Sequence, residues 1–378
     1  MKAIINTNIV MQDHIIPNGI IIIDGDRIVD FGRKLNTEGM EIIDAGGNFT
    51  GPGFVELHTH AACGTFITDD PAAAAKNLLS HGVTTSLAAL YFSADCDTLV
   101  AQANKIKAVA GTDEAPNLLG LYMEAPYMNP KFGCNKENNP WRYPINKADY
   151  QPLIDAIGDF AKVWCLAPER EGIEEFVKDV KKINPDAVFT VAHSEATPQE
   201  IEALIPYGLK IATHHTNATG YLPKYPECRG LSVDDAAWYN DSIYTELICD
   251  KMGIHVDPYM LRLVRKIKGS EKIVLIADSF VDDGPIPSDG CYDGADDINF
   301  DHSGEISGTK LTLDAACRNM MFNGGASIPE CFRYASTNPA NALSMQEIGR
   351  IKKGALANLV IVDGLFNVQK VILRGEIQ

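Results

Sequence analysis

The sequence predicts an α/β chain: a (β/α)8 TIM barrel with a small β-sandwich module formed from both termini. Three observations carry this. Eight short apolar, β-rich runs alternate with amphipathic stretches through the middle of the chain, the pattern of βα units around a parallel sheet. Seven of the eight runs carry His, Glu or Asp at or just past the C-terminal end, where barrel chemistry sits. The two ends of the chain read instead as short strands and tight turns. A doubly wound open sheet is the alternative, but it does not bring so many strand ends to one point.

The terminal elements come first. Met1-Lys2-Ala3-Ile4-Ile5-Asn6 reads directly into a strand, and Ile20-Ile21-Ile22-Ile23 is followed by the hairpin signal Asp24-Gly25. Residues 358–362 and 368–373 read as strands around Asp363-Gly364. Neither end holds enough strands to stand alone. The expected division is therefore 1–50 plus 346–378 for the module and 51–345 for the barrel.

In the barrel, Gly53-Phe54-Val55-Glu56-Leu57 leads into His58-Thr59-His60. The second run is 84–90. The third, 118–123, ends at Glu124, and the fourth, 163–168, at Glu169. The fifth, 187–192, ends at His193, and the sixth, 209–213, at His214-His215. The seventh, 243–248, runs toward Asp250 and His255; the eighth, 273–277, ends at Asp278. Helices are expected over 71–80, 97–110, 174–182 and 198–204, the last capped by Thr197.

Composition narrows the function. A chain of 378 residues with 46% hydrophobic and 22% charged residues buries a large core. No apolar run reaches the roughly 18 residues of a membrane span, and the first residues lack a signal-peptide pattern. The expectation is a cytoplasmic protein without a membrane partner. Nine dispersed cysteines without a C-x-x-C pair point to reduced thiols. A net charge of −17 speaks against nucleic acid and leaves a small molecule bound in a local pocket.

His58 and His60, at i and i+2, point to one side of a strand. Glu124, His193 and His214 add three further metal ligands at strand ends, with Asp278 a sixth candidate. Imidazole and carboxylate suit Zn²⁺, Fe²⁺ or Mn²⁺, and no cysteine at these ends suggests a closed structural zinc site. An open catalytic metal lowers the pKa of water toward about 7, and Asp278 is placed to move the proton. His215 neighbours His214 and so faces the other way, yet it stands as the alternative ligand. His255 is either a substrate contact or an ordinary loop residue. His14, His81 and His302 read as structural or solvated.

The chain resembles the amidohydrolase superfamily and, more closely, the N-acetylglucosamine-6-phosphate deacetylase family. The motifs run along essentially the whole chain. They include Pro52-Gly53-Phe54-Val55-Glu56-Leu57-His58-Thr59-His60, Glu124-Ala125-Pro126, Ala192-His193-Ser194-Glu195, Thr213-His214-His215-Thr216-Asn217-Ala218, Gly253-Ile254-His255-Val256 and Ile276-Ala277-Asp278. The resemblance implies that Glu124, His193 and His214 hold a metal. His58 and His60 match the branch that adds a second, with Glu124 bridging. The cofactor is then one or two divalent ions, zinc first, with iron or manganese as alternatives. It further implies that Asp278 is the catalytic acid/base, that Asn217, Ala218 and His255 contact the sugar phosphate, and that the chain is a homodimer. The implied reaction is hydrolysis of an N-acetyl amide, with a different N-acyl substrate as the alternative within the class and a metal-free scaffold outside it.

The chain departs from the family at Ala125, in the Ala61-Ala62-Cys63-Gly64 stretch, and at two positions that bear on the substrate. Asn135 stands where the family has a carbonyl-polarising histidine; its amide donates a hydrogen bond but cannot become a cation. Glu227 stands where the family has an arginine that reaches the phosphate of the neighbouring subunit. Arg229, two residues on, is the nearby candidate for that role.

Overall fold

The computed structural model describes all residues except Asn135, Pro223, Asp283, Ser288, Asp289 and Cys291. Eight parallel strands form the barrel: β1 (Phe54–Thr59), β2 (Val83–Tyr91), β3 (Leu118–Glu124), β4 (Ala161–Leu166), β5 (Val188–Val191), β6 (Leu209–Ala212), β7 (Tyr244–Ile248) and β8 (Ile273–Ile276). They lie in sequence order, each paired with the next. All eight coincide with the apolar runs of the sequence. The reason is burial on both faces: every residue of β1, β4's last four and all of β5 and β8 are buried, so these strands start from or consist mostly of apolar residues.

The seam between β8 and β1 is closed differently. Among the described residues the two strands form no ladder. The fully buried carboxylate of Glu56 instead accepts the backbone N–H of His58 through Oε1 and that of Ala277 through Oε2, both at 3.0 Å. Just beyond, the N–H of Asp278 donates to the carbonyl of His58 at 2.9 Å, and the N–H groups of His60 and Ala61 share the carbonyl of Ser279. This seam ties the His-Thr-His segment to Asp278.

Helices α1 (Pro71–Ser80), α2 (Cys96–Val109), α3 (Lys147–Ile157), α4 (Ile173–Ile183), α5 (Pro198–Leu204), α6 (Val233–Tyr239), α7 (Pro258–Lys268) and α8 (Leu313–Phe322) surround the strands. α5 begins with the N-cap expected at Thr197, which Glu200 completes as a capping box. α2 starts one residue earlier than the sequence suggests because Asp95 caps it, accepting from the Thr98 N–H at 2.9 Å. α4 buries Ile173, Phe176, Val177 and Val180, one stripe at helical spacing, and carries glutamates in its first turn and lysines in its last. No described helix is long and apolar enough to cross a membrane.

Both termini contribute to one eight-stranded sheet. Its path runs from Glu376–Ile377 through Val368–Leu373, Leu359–Val362, Phe49–Pro52, Lys2–Val10 and Ile15–Asp24 to Arg27–Gly32, with Glu41–Asp44 also pairing with Lys2–Val10. Ile4, Ile21, Ile28, Leu359 and Ile372 belong to a core of its own. Gly53 sits where this sheet meets the barrel, its N–H donating to the Asn358 carbonyl at 2.8 Å. A β-carbon there would lie 2.2 Å from Thr84 Oγ1, so only glycine lets β1 start alongside β2.

Candidate active site

The strand ends deliver their side chains to one point. His193, His214 and Asp278 each leave their strand in the left-handed conformation (φ 46°, 29° and 45°). Such backbone costs about 1–3 kcal/mol per residue and clusters at functional sites. Here three residues holding it send their side chains into the barrel mouth.

Glu124 lies at the centre. Its Oε1 is 2.8 Å from His193 Nε2 and 3.2 Å from His214 Nε2, and those two nitrogens are 3.1 Å apart. Its Oε2 is 3.0 Å from His60 Nε2 and 3.5 Å from His58 Nε2. Asp278 Oδ1 stands 3.7 Å from His58 Nε2 and 3.6 Å from His60 Nε2. Two groups of three donors result, Glu124/His193/His214 and His58/His60/Asp278, with one carboxylate touching both.

These groups fit divalent metal ions. Donors at 2.0–2.1 Å around a tetrahedral ion lie roughly 3.3 Å from one another, close to the spacings around Glu124 Oε1. Both ring nitrogens of the fully buried His58 lack a hydrogen-bond partner. An unsatisfied buried polar group costs about 1–3 kcal/mol, which a coordinated cation would relieve. The electrostatics of the cluster divide: burial opposes the charged imidazoles of His58 and His214, but Asp278 and Glu124 around His58, and Glu124 around His214, outweigh it and raise both. Burial opposes ionisation of Glu124, but His58, His193 and His214 outweigh it and hold the carboxyl well below its usual range. Burial pushes His193 down, toward the neutral imidazole that ligation requires.

His215 turns away, as alternation along the strand requires: its Nδ1 lies 3.1 Å from Asp234 and its ring packs edge-on to Trp238. His214 is therefore the residue of this pair that reaches the cluster. Glu169 sits elsewhere, accepting from Asn129, Ser194 and the Glu195 N–H. His81 pairs with Asp314 at 3.1 Å, outside the site.

A cavity of about 320 Å³ opens above the cluster. Asn217, Ala218 and His255 line it, as do His60, Glu124, His193, His214 and Asp278. His255 is held there by Asp250, whose buried carboxylate accepts the N–H groups of Met252, Ile254 and His255 and lies 3.5 Å from the imidazole. Arg229 does not line this cavity: it lies largely exposed on the segment before α6, bound to Asp235 at 2.8 Å. Asn135 lies outside the described residues, although its neighbours Cys134 and Lys136 line the cavity.

Sequence reasoning missed several residues here. Glu246 is a fully buried carboxylate on β7 that accepts from the Tyr122 hydroxyl at 3.0 Å and lies 3.6 Å from His58 Nδ1. The Tyr122 ring stacks on His58, centroids 4.3 Å apart. A glutamate inside an otherwise apolar run was the available signal. Lys131, Lys136, Tyr91 and Phe280, also in the cavity wall, carry no such signal.

A barrel with two triads of candidate metal donors at the strand ends, one glutamate touching both, defines a class. Residues 50–377 match the Amidohydrolase family, and the chain belongs to it. More particularly, it is 30% identical over 344 residues to N-acetylgalactosamine-6-phosphate deacetylase of Escherichia coli O157:H7, covering 86% of each chain. It is 25% identical over 386 residues to N-acetylglucosamine-6-phosphate deacetylase of Bacillus subtilis, covering 98% of this chain and 95% of the other. The structure of N-acetylglucosamine-6-phosphate deacetylase from Thermotoga maritima superposes with a TM-score of 0.81 at 26% identity, covering 99% of both chains.

Proposed function

We propose that this chain is a cytoplasmic enzyme of amino sugar metabolism that hydrolyses the N-acetyl amide of N-acetylglucosamine 6-phosphate, releasing acetate and the amino sugar phosphate. The single observation behind this reading is the cavity in which Asp278 faces the donors gathered around Glu124. Glu124, His193 and His214 would hold one divalent ion and His58, His60 and Asp278 a second. When bound, such an ion, zinc first and iron or manganese as alternatives, supplies Lewis acidity toward the acyl oxygen and acidifies water.

The chain's own residues do the rest. Asp278 takes a proton from the attacking water and returns it to the amide nitrogen as the C–N bond breaks, so the amine leaves neutral and acetate keeps the oxygen. The cluster's burial removes competing water from the reacting carbonyl. Asn217, Ala218 and His255 border the space for the sugar phosphate. Arg229 lies on an exposed segment with Tyr221, Tyr225 and Leu231, a surface suited to a second copy, and in a homodimer it would serve the partner's cavity.

The 30% identity to a deacetylase of the C4 epimer supports a second reading, N-acetylgalactosamine 6-phosphate. Acetate release from both 6-phosphates and both free sugars, before and after chelation and metal reconstitution, tests these readings. Metal-dependent release from a 6-phosphate is expected. Failure on both 6-phosphates, with metal restored, overturns them.

A further inference from the structure

The cavity belongs to a chain of net charge −17, and its described lining includes two lysines, Lys131 and Lys136, both on the loop after β3. Their settings differ. Lys136 lies 3.5 Å from Glu305, beside Ile306. Lys131 makes a short ion pair with Glu195. Glu195 in turn packs on the loop after β6: a β-carbon at Gly220 would lie 2.8 Å from Glu195 Cβ and 3.0 Å from the Phe132 ring. The Lys131 ammonium is thereby held beside residues 217–220.

That loop has the features of an anion site. Thr216 (φ 76°) and Ala218 (φ 53°) are left-handed and Asn217 between them is not. The N–H groups of Thr216, Asn217 and Gly220 are already bound, to Asp234 Oδ1 and to the carbonyls of His214 and Ser194, so the donor this loop offers an anion is a side chain. Asn217 Nδ2 is buried without a hydrogen-bond partner, on a residue that lines the cavity. A side-chain donor without a partner and a lysine ammonium thus border the same cavity.

We propose that Lys131 is the specificity-determining cation that binds the substrate's phosphate, exchanging Glu195 for it. The exchange is favourable on simple grounds. An exposed Lys–Glu pair contributes little net stability. A phosphate dianion brings more charge and more acceptor oxygens than the carboxylate it displaces. Glu195 then acts as a competing anion that keeps the ammonium in place before substrate arrives. The inference rests on the phosphorylated-hexosamine reading above.

The test uses the metal-loaded full chain with N-acetylglucosamine 6-phosphate and N-acetylglucosamine, following acetate. The readout is the ratio of kcat/KM for the phosphorylated over the free sugar. Lys131→Met is expected to lower that ratio roughly ten- to hundredfold through KM, the range for loss of a charged hydrogen bond. Inorganic phosphate should weaken as a competitive inhibitor in the same variant. Glu195→Gln should move KM for the 6-phosphate the other way, because the competing carboxylate is gone; a purely structural role for the pair would not give opposite signs. An unchanged ratio in Lys131→Met, or a loss that falls on Lys136→Met or Arg229→Met instead, overturns the inference and leaves the function standing. A wild-type enzyme that acts on both sugars without preference overturns the inference alone, and one that releases no acetate from either 6-phosphate overturns both.

Discussion

Replacing Asp278 by asparagine isolates the proton-transfer step. The backbone ties of this residue, N–H to the His58 carbonyl and carbonyl to the Thr309 N–H, survive the change. Its left-handed φ of 45° is one that asparagine tolerates well, so the fold should hold. Among the described residues, the other carboxylates lining the cavity are Glu124 and Glu305. Both oxygens of Glu124 lie against imidazoles, and Glu305 faces Lys136. Neither can take over the proton. General acid/base catalysis contributes about 10²–10⁴-fold. With one residue serving both proton transfers and no substitute, the expected loss in kcat is about 10⁴-fold, or about 5.5 kcal/mol. The Glu124/His193/His214 group does not include Asp278, so at least one metal per chain should remain. Acetate release and metal content on the same preparation give the answer. A kcat within tenfold of wild type, metal retained, would refute the role assigned to Asp278.

Two further predictions concern residues behind the site. Glu246 lies beside His58 Nδ1, where a carboxylate favours the tautomer with Nε2 free to face Glu124. Glu246→Gln should weaken metal binding at the His58/His60 group about 10–100-fold while sparing the other, so competition with a chelator should show one site lost early; two sites of unchanged affinity would dismiss this positioning role. His81 is pushed up to about 10, by its hydrogen bond to Asp314 first and its contact with Cys63 second. A raised imidazole contributes stability that is full below its ordinary value near 6.5 and is lost as pH rises through about 10. Because His81 is partly exposed, the contribution is about 1 kcal/mol after screening. Asp314→Asn should lower Tm by about 2 °C at pH 6, and the gap should close above pH 10. A gap that stays constant across that range would contradict the ion pair.

The barrel was legible because parallel strands covered on both faces leave an unbroken apolar trace, and all eight such traces became strands. His58, His60, Glu124, His193, His214 and Asp278 were legible for a related reason: each interrupts such a trace at its end, where interior burial gives way to the barrel mouth. The choice between His214 and His215 needed only alternation, which Asp234 bears out by holding His215. What stayed hidden depends on contacts distant in sequence. Glu246 and Tyr122 are 124 positions apart, and nothing in either segment announces the other. Lys131 finds Glu195 across 64 positions, and an exposed lysine in a polar loop looks like any solvated charge.

The side-chain seam at Glu56 has a consequence for how the protein comes to be active. Glu56 meets Ala277 across 221 positions, so the first and last staves of the barrel join only after almost everything between them has been made. Loop-closure entropy opposes such a distant encounter until the intervening structure has shortened the gap. His58 and Asp278 are linked by this same joint. A nascent or truncated chain that stops before β8 would possess five of the six polar groups of the centre yet lack the assembled pocket. Hydrolytic competence is thereby deferred to the completed molecule, a form of quality control written into the closure itself.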